Sequence, residues 1–178
     1  MRVLKMIQLD FIIFTNFIFI PQKMTGLDKI DFKILKILQE NGRITNIQLS
    51  TDIGLSPAPT LERVRKLEQT GIIESYHALV NEDLVGLGVK SYLQVSINFE
   101  KKDAISNFIK QISEIEEIIE CHQVAGSTDF LLKIVVSNIH AYERLLTEKI
   151  SAIQEINKLN SMFVLKTVKN SHSLPIKN

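Results

Sequence analysis

What the chain lacks narrows its class before any motif is read. One cysteine, Cys121, in 178 residues excludes an intrachain disulfide framework and suits a reducing compartment. The formal net charge is only +1, so no global field selects nucleic acid or membrane, and such a partner must be held by a local patch. No glycine loop that could cradle phosphates and no catalytic motif occurs. His77, His122, His140 and His172 are scattered without metal-ligand spacing. Cys121 and His122 are neighbours on an expected strand, so they point to opposite faces and cannot act as nucleophile and base. Glu114, Glu116, Glu117 and Glu120 read as a solvated acidic patch. Neither enzyme activity nor a metal or cofactor is expected. Internal repeats and low-complexity stretches are also missing.

Long hydrophobic runs are limited to FIIFTNFIFI at positions 11–20, about half the roughly 20 residues needed to span a bilayer. Arg2 and Lys5 ahead of it give the look of a secretory signal. Asp10, Thr15 and Asn16 spoil the run, however, and IPQKM provides no small-residue cleavage site. Met24 stands directly before TGLDKIDFKIL, so residues 1–23 are read as upstream frame taken in by an early start. Residues 1–26 are therefore set aside as a leader; the competing reading is an interfacial anchor.

From Leu27 the texture becomes amphipathic helix. Ile30, Ile34, Ile37 and Leu38 share one face, Asp31, Lys33, Lys36 and Glu40 lie mostly away from it, and Gly42 ends the helix. A second helix is expected from Thr45 or Asn46 to about Ile53, burying Ile47, Leu49 and Ile53 before Gly54 breaks it. In SPAPTLERVRKLEQTG, Ser56 is a natural N-cap and Pro57 occupies the first helical position, where a missing N–H costs nothing. Leu61, Val64 and Leu67 are expected inward, and Ala58, Pro59, Glu62, Arg63 and Lys66 outward, with Arg65 on the flank. IIESYHALV reads as a strand leading away, and residues 76–88 as a hinge.

The second half has the order strand, helix, strand, strand, helix, strand. SYLQVSINF alternates, placing Leu93, Val95, Ile97 and Phe99 on one face. A helix from about Asp103 to Ile115 buries Ile105, Phe108, Ile109 and Ile112. IIECHQVAG and DFLLKIVVS make a hairpin across a Gly-Ser-Thr turn. A helix from Ile139 to Ile153 buries Tyr142, Leu145, Leu146 and Ile153, and KLNSMFVLKTVK supplies the last strand. This order is the split motif of ferredoxin-like sandwiches. DFLLKIVV is apolar on both faces, so the uncovered side of the sheet is expected to meet a partner, in a homodimer at least.

Three short helices with a glycine turn between the second and third make a helix-turn-helix. Arg63, Arg65 and Lys66 offer cations for phosphates or guanine edges, Ser56 and Thr60 offer hydroxyls, and the amino end of the last helix favours an anion. Residues 27–75 balance seven basic against seven acidic residues, so a helical module that binds protein is the competing reading.

Two stretches carry a specific resemblance. LDKIDFKILKILQENGRITNIQLSTDIGLSPAPTLERVRKLEQTGIIESYHALVN is similar to the DNA-binding domain of the leucine-responsive/asparagine-responsive (Lrp/AsnC, feast/famine) transcription regulators. GLSPAPTLERVRKLE followed by GII is its most diagnostic part. ECHQVAGSTDFLLK, followed by AYERLL, resembles that family's effector domain, and the similarity runs from about Leu27 to Lys169.

The resemblance implies an α+β protein. An N-terminal helix-turn-helix, winged-helix-like domain would cover residues 27–88, a ferredoxin-like β-α-β-β-α-β effector and dimerisation sandwich 89–170, and a tail 171–178. It implies contacts to double-stranded DNA from Asn46, Ser56, Pro57, Ala58, Thr60, Glu62, Arg63, Arg65 and Lys66. It also implies an amino-acid effector, with leucine as the candidate, near Gln123, Ala125, Gly126, Ser127, Thr128 and Asp129. Many relatives carry an acid where this chain has Ser127. Assembly would be a homodimer, extending to a tetramer or octamer, and the regulator would be cytoplasmic and without a membrane partner. The alternative is an amino-acid-binding regulatory module whose helical domain binds protein rather than DNA. On chemistry alone, free N–H groups at the 125–128 tip suit a carboxylate and Asp129 suits an α-ammonium group, although Gly-Ser-Thr-Asp is also ordinary turn chemistry.

Overall fold

The computed structural model describes residues 26–100 and 103–176. Residues 1–25 of the leader, with Met24 and the stretch read as an early start or anchor, lie outside these residues. The chain divides into two compact units: one runs through His77 and takes in the tail from Ser171, and the other is Ala78–Asn170. The division into compact units falls between His77 and Ala78, inside the expected 76–88 hinge, and the tail groups with the helical unit. Within that unit the Leu174 N–H donates to Gln39 Oε1 at 2.6 Å.

Among the described residues the first unit has the helices α1 (Lys29–Glu40), α2 (Asn46–Ile53) and α3 (Pro57–Gln69). Asp28 caps α1 in a reciprocal capping box with Asp31, which satisfies donors that a helix start otherwise leaves orphaned. Thr45 caps α2 by accepting from the Gln48 N–H at 3.2 Å. Gly54 ends α2 at φ +80°, a left-handed conformation that a side chain would oppose. Its N–H and that of Leu55 both return to the Ser50 carbonyl.

Ile34, Leu49, Ile53 and Leu67 form the core, with Ile30, Ile37, Leu38, Val64 and Ile73 packed around them. Ile47, expected inside, is 71 % exposed. The inward stripe of α2 is Leu49, Ser50 and Ile53, and Ile47 lies behind it by helical geometry.

The expected strand at IIESYHALV does not form; residues 74–81 carry no ladder. An extended segment becomes a strand only where another strand accepts its N–H groups.

In the second unit, β1 (Val89–Ile97) pairs antiparallel with both β3 (Phe130–Val136) and β4 (Ile156–Phe163), and β2 (Ile118–Gln123) pairs with β3. The sheet order is β2-β3-β1-β4, the ferredoxin-like arrangement. Helix α4 (Ala104–Ser113) and helix α5 (Ile139–Arg144), which continues as a π-helical turn Leu145–Ile150, cover one face. Leu93, Val95, Leu132 and Ile134 meet Phe108, Ile112, Tyr142 and Leu145 there. Phe108 and Phe130 approach to 4.7 Å between ring centroids. The five-residue step between buried Leu145 and Ile150 is what the wider π turn accommodates.

Phe99 and Ile109, expected inside, are exposed; Phe99 follows the end of β1. The uncovered face is mixed rather than apolar. Val135 is buried and Leu131 half-buried, but the Asn160 amide donates to Gln94 Oε1 at 2.8 Å and Lys133 Nζ to Glu120 Oε1 at 2.6 Å.

Candidate DNA interface and effector loop

Helix α3 faces the core differently from expectation. Thr60 is completely buried, Leu67 nearly so, and Arg63 and Val64 are half-buried. Positions 60, 63, 64 and 67 are one helical stripe. Arg63 therefore belongs to the inward face, and Leu61, expected inside, is exposed. The opposite face carries Ala58, Glu62 and Arg65, all exposed, with exposed Lys66 beside them. Arg65, placed on the flank from sequence, thus stands in the middle of the solvent face.

The expected DNA contacts separate accordingly. The Thr60 hydroxyl is consumed by the Ser56 carbonyl at 2.9 Å and, being buried, cannot reach a ligand. Asn46 donates its amide to the Pro57 carbonyl at 2.8 Å, so it joins the start of α2 to the start of α3. Ser56 is an N-cap by backbone conformation but makes no side-chain cap bond, which leaves its hydroxyl uncommitted. Prolines at 57 and 59 remove two N–H groups from the first turn. Among the first three helical positions only Ala58 can donate to an anion.

Arg63 Nη1 lies 2.7 Å from Asp31 Oδ1 and 2.8 Å from Asp28 Oδ2. Asp31, expected to point away from the core, is buried by this pairing. The Asp31 N–H bond to Asp28, opposed by desolvation and helped by Arg63, holds the Asp28 carboxyl below its ordinary range. Arg65 and Lys66 make no ion pair among the described residues. They are the cations that α3 offers outward.

The β2–β3 connection is tied at its base and open at its tip. Val124 N–H donates to the Asp129 carbonyl at 2.9 Å, and Asp129 N–H to the Val95 carbonyl at 3.0 Å. Thr128 Oγ1 donates to the Val95 carbonyl at 2.7 Å. Asp129 Oδ2 accepts from the Ile97 N–H at 2.8 Å, beside the irregularity that β1 carries at Ser96/Ile97.

Thr128 and one oxygen of Asp129 are thus spent on building the loop. Gln123, Ala125, Gly126 and Ser127 are exposed. The N–H groups from Ala125 to Thr128 find no acceptor among the described residues. Gly126 holds φ +151°, with open space where a Cβ would project. Free N–H groups at a loop tip can take a carboxylate, and an uncommitted carboxylate oxygen can take an ammonium group. Among the described residues no cluster could hold a metal ion.

The bonds of Arg63 to Asp31 and of Ile97 to Asp129 each link residues 32 apart in sequence. The inward position of Arg63 had one visible signal, its i, i+3, i+4 and i+7 spacing with Thr60, Val64 and Leu67.

Comparison with known proteins agrees with this layout. A family model described as winged helix-turn-helix DNA-binding matches residues 27–74, and one described as the Lrp/AsnC ligand binding domain matches residues 90–174. The leucine-responsive regulatory proteins of Klebsiella pneumoniae and Escherichia coli (strain K12) are each 40% identical over 151 residues, which is 85% of this chain and 92% of the relative. Among solved structures, a transcriptional regulator from Neisseria meningitidis in complex with L-Met superposes with a TM-score of 0.82 at 38% identity, covering 84% of this chain and 97% of that one. An AsnC family regulator from Agrobacterium tumefaciens has a TM-score of 0.79 at 31% identity, with the same coverages of 84% and 97%.

Proposed function

Since this chain belongs to the Lrp/AsnC family of transcription regulators, we propose that it reads operator DNA with the Ala58, Glu62 and Arg65 face of α3 and senses an amino acid at the 123–129 loop. It is a DNA-binding regulator responsive to an amino acid or related small molecule. The observation that carries the DNA assignment is the outward, unpaired Arg65 on a helix whose other face is buried. In a major groove, Arg65 can take a guanine edge or a phosphate, Glu62 can accept from a cytosine amino group, and Lys66 and the Ser56 hydroxyl can hold the backbone. Asn46 then acts through Pro57, by fixing where α3 begins.

At the sensor, the 125–128 N–H groups hold the effector carboxylate, and the oxygen of Asp129 not used by Ile97 takes the ammonium group. Leucine is the first candidate. The L-Met bound by the Neisseria meningitidis regulator supports an aliphatic side chain of similar size. The effector acts only if it prefers one arrangement of the protein over another. A homodimer presents two α3 helices to half-sites about one DNA turn apart or a multiple of it, and higher assembly to a tetramer or octamer would extend this. Among the described residues no helix is long and apolar enough to cross a membrane, and the place of action proposed is the cytoplasm.

The test is selection of bound sequences from random duplexes, then titration of salt and of leucine or methionine. Affinity must fall steeply with salt if several phosphates are neutralised. Salt-independent binding would favour a helical module for protein partners. An effector titration that moves neither operator affinity nor light scattering would refute the sensing half.

A further inference from the structure

The start of α1 holds two carboxylates whose four oxygens all have donors. Asp28 Oδ1 accepts from the N–H groups of Ile30 and Asp31 at 2.8 and 2.9 Å, and Asp31 Oδ2 accepts from the Asp28 N–H at 3.0 Å. The remaining oxygens, Asp28 Oδ2 and Asp31 Oδ1, converge on one nitrogen of Arg63. A capping box thus doubles as a socket for a side chain of α3, and Arg63 is only 31 % exposed within it. Thr60, Val64 and Leu67 fix the same face of α3 by packing. Apolar packing resists separation of two helices but permits small rotations, whereas a charged, directional contact defines an angle.

Resting on the DNA reading above, we propose that Arg63 is a positioning residue: it sets the rotation of α3 against α1 and thereby aims Arg65, Glu62 and Ala58, without itself neutralising a phosphate. Releasing Arg63 to DNA would strand two carboxylates, one of them buried, at the start of α1. The linkage also explains how a domain with balanced charge can bind DNA. Two acids are matched internally, while Arg65 and Lys66 remain unpaired.

The experiment is fluorescence anisotropy on a duplex selected by the wild-type chain, across a salt series, with circular dichroism on each variant. Arg65→Gln is expected to reduce the slope of log affinity against log salt by about one. Arg63→Gln is expected to weaken binding about tenfold, comparable to losing a base contact, with the wild-type slope retained. Asp28→Asn keeps a competent cap and removes a negative charge, so simple electrostatics makes it bind DNA more tightly. Positioning makes it bind more weakly at an unchanged slope, and the double variant Arg63→Gln/Asp28→Asn no worse than the stronger single one. A slope loss for Arg63→Gln equal to that of Arg65→Gln would overturn the assignment, as would tightening by Asp28→Asn. If Arg63→Gln does not fold, Asp28→Asn decides. A wild-type chain without salt-dependent duplex binding would remove the DNA reading and this assignment with it.

Discussion

Asp129 reaches from the base of the β2–β3 connection to the backbone of another strand, its Oδ2 accepting the Ile97 N–H at 2.8 Å. The bond occupies one oxygen at the point where β1 shifts register and leaves the other uncommitted among the described residues. Two substitutions separate these duties. Asp129→Ala is expected to cost about 1–3 kcal/mol, because a part-buried N–H loses its acceptor, and to abolish effector binding. Asp129→Asn retains an oxygen for Ile97, so stability should stay near wild type while effector affinity falls. Urea unfolding and calorimetric titration with leucine and methionine read the two effects; an Asn variant that binds normally would remove Asp129 from the ammonium site.

Gly126 occupies a backbone conformation that L residues avoid, with nothing packed against it. Gly126→Ala should therefore destabilise by about 1–2 kcal/mol through backbone strain alone. It should weaken effector binding further, by turning the N–H groups of the tip away from a common point. Thermal unfolding and ligand titration together check this; full stability with full affinity would mean that the tip is not a cradle.

Arg65 is exposed and supports no packing. Arg65→Ala is expected to lower operator affinity while changing stability by less than about 0.5 kcal/mol, the usual range for surface substitutions. Gel shift and thermal melting suffice to read it. Unaltered affinity would move the DNA-reading face elsewhere on α3.

Two ion pairs give the sensor unit a defined acid response. Lys133 beside Glu120, and Lys149 beside Glu117, hold these carboxyls below their ordinary range. Their contribution is present above the unfolded carboxyl value of about 4.3 and is lost as pH falls through the lower folded value. Both pairs are partly exposed, so each contributes no more than about 1 kcal/mol. Melting midpoints should decline below about pH 4.5, and Glu120→Gln should reduce that decline. An acid limb unchanged by the substitution would count against the pair.

Tyr76 gives an alkaline counterpart within the helical unit. Partial desolvation of a ring that stays about half exposed, helped by its hydrogen bond to Glu68 at 3.0 Å, pushes the phenol up to about 12. Because the folded value lies above the unfolded one, this contribution is intact below about pH 10 and fades as pH rises towards the folded value. Ultraviolet titration should resolve a late phenol that Glu68→Gln brings earlier; a phenol transition that the substitution leaves unmoved would contradict it.

Sequence by itself determined the elements that local periodicity and capping chemistry dictate: an amphipathic helix after Leu27, a second from Thr45 or Asn46, a third after the Ser56 cap, and the β-α-β-β-α-β order with its hairpin across Gly126, Ser127 and Thr128. Those signals are short-range, so they survive without knowledge of neighbours. Tertiary structure decided the rotation of α3, because an arginine at an inward position is stable only where carboxylates from a distant helix start meet it. It also decided that IIESYHALV has no strand partner among the described residues, that Thr60 is core, and that Asp129 commits one oxygen to β1. The Arg63 and Asp129 contacts each reach a partner about 30 residues away, the missing strand reflects the absence of a ladder partner among the described residues, and the burial of Thr60 follows from how α3 is turned against the rest of its unit; no local pattern encodes such relations.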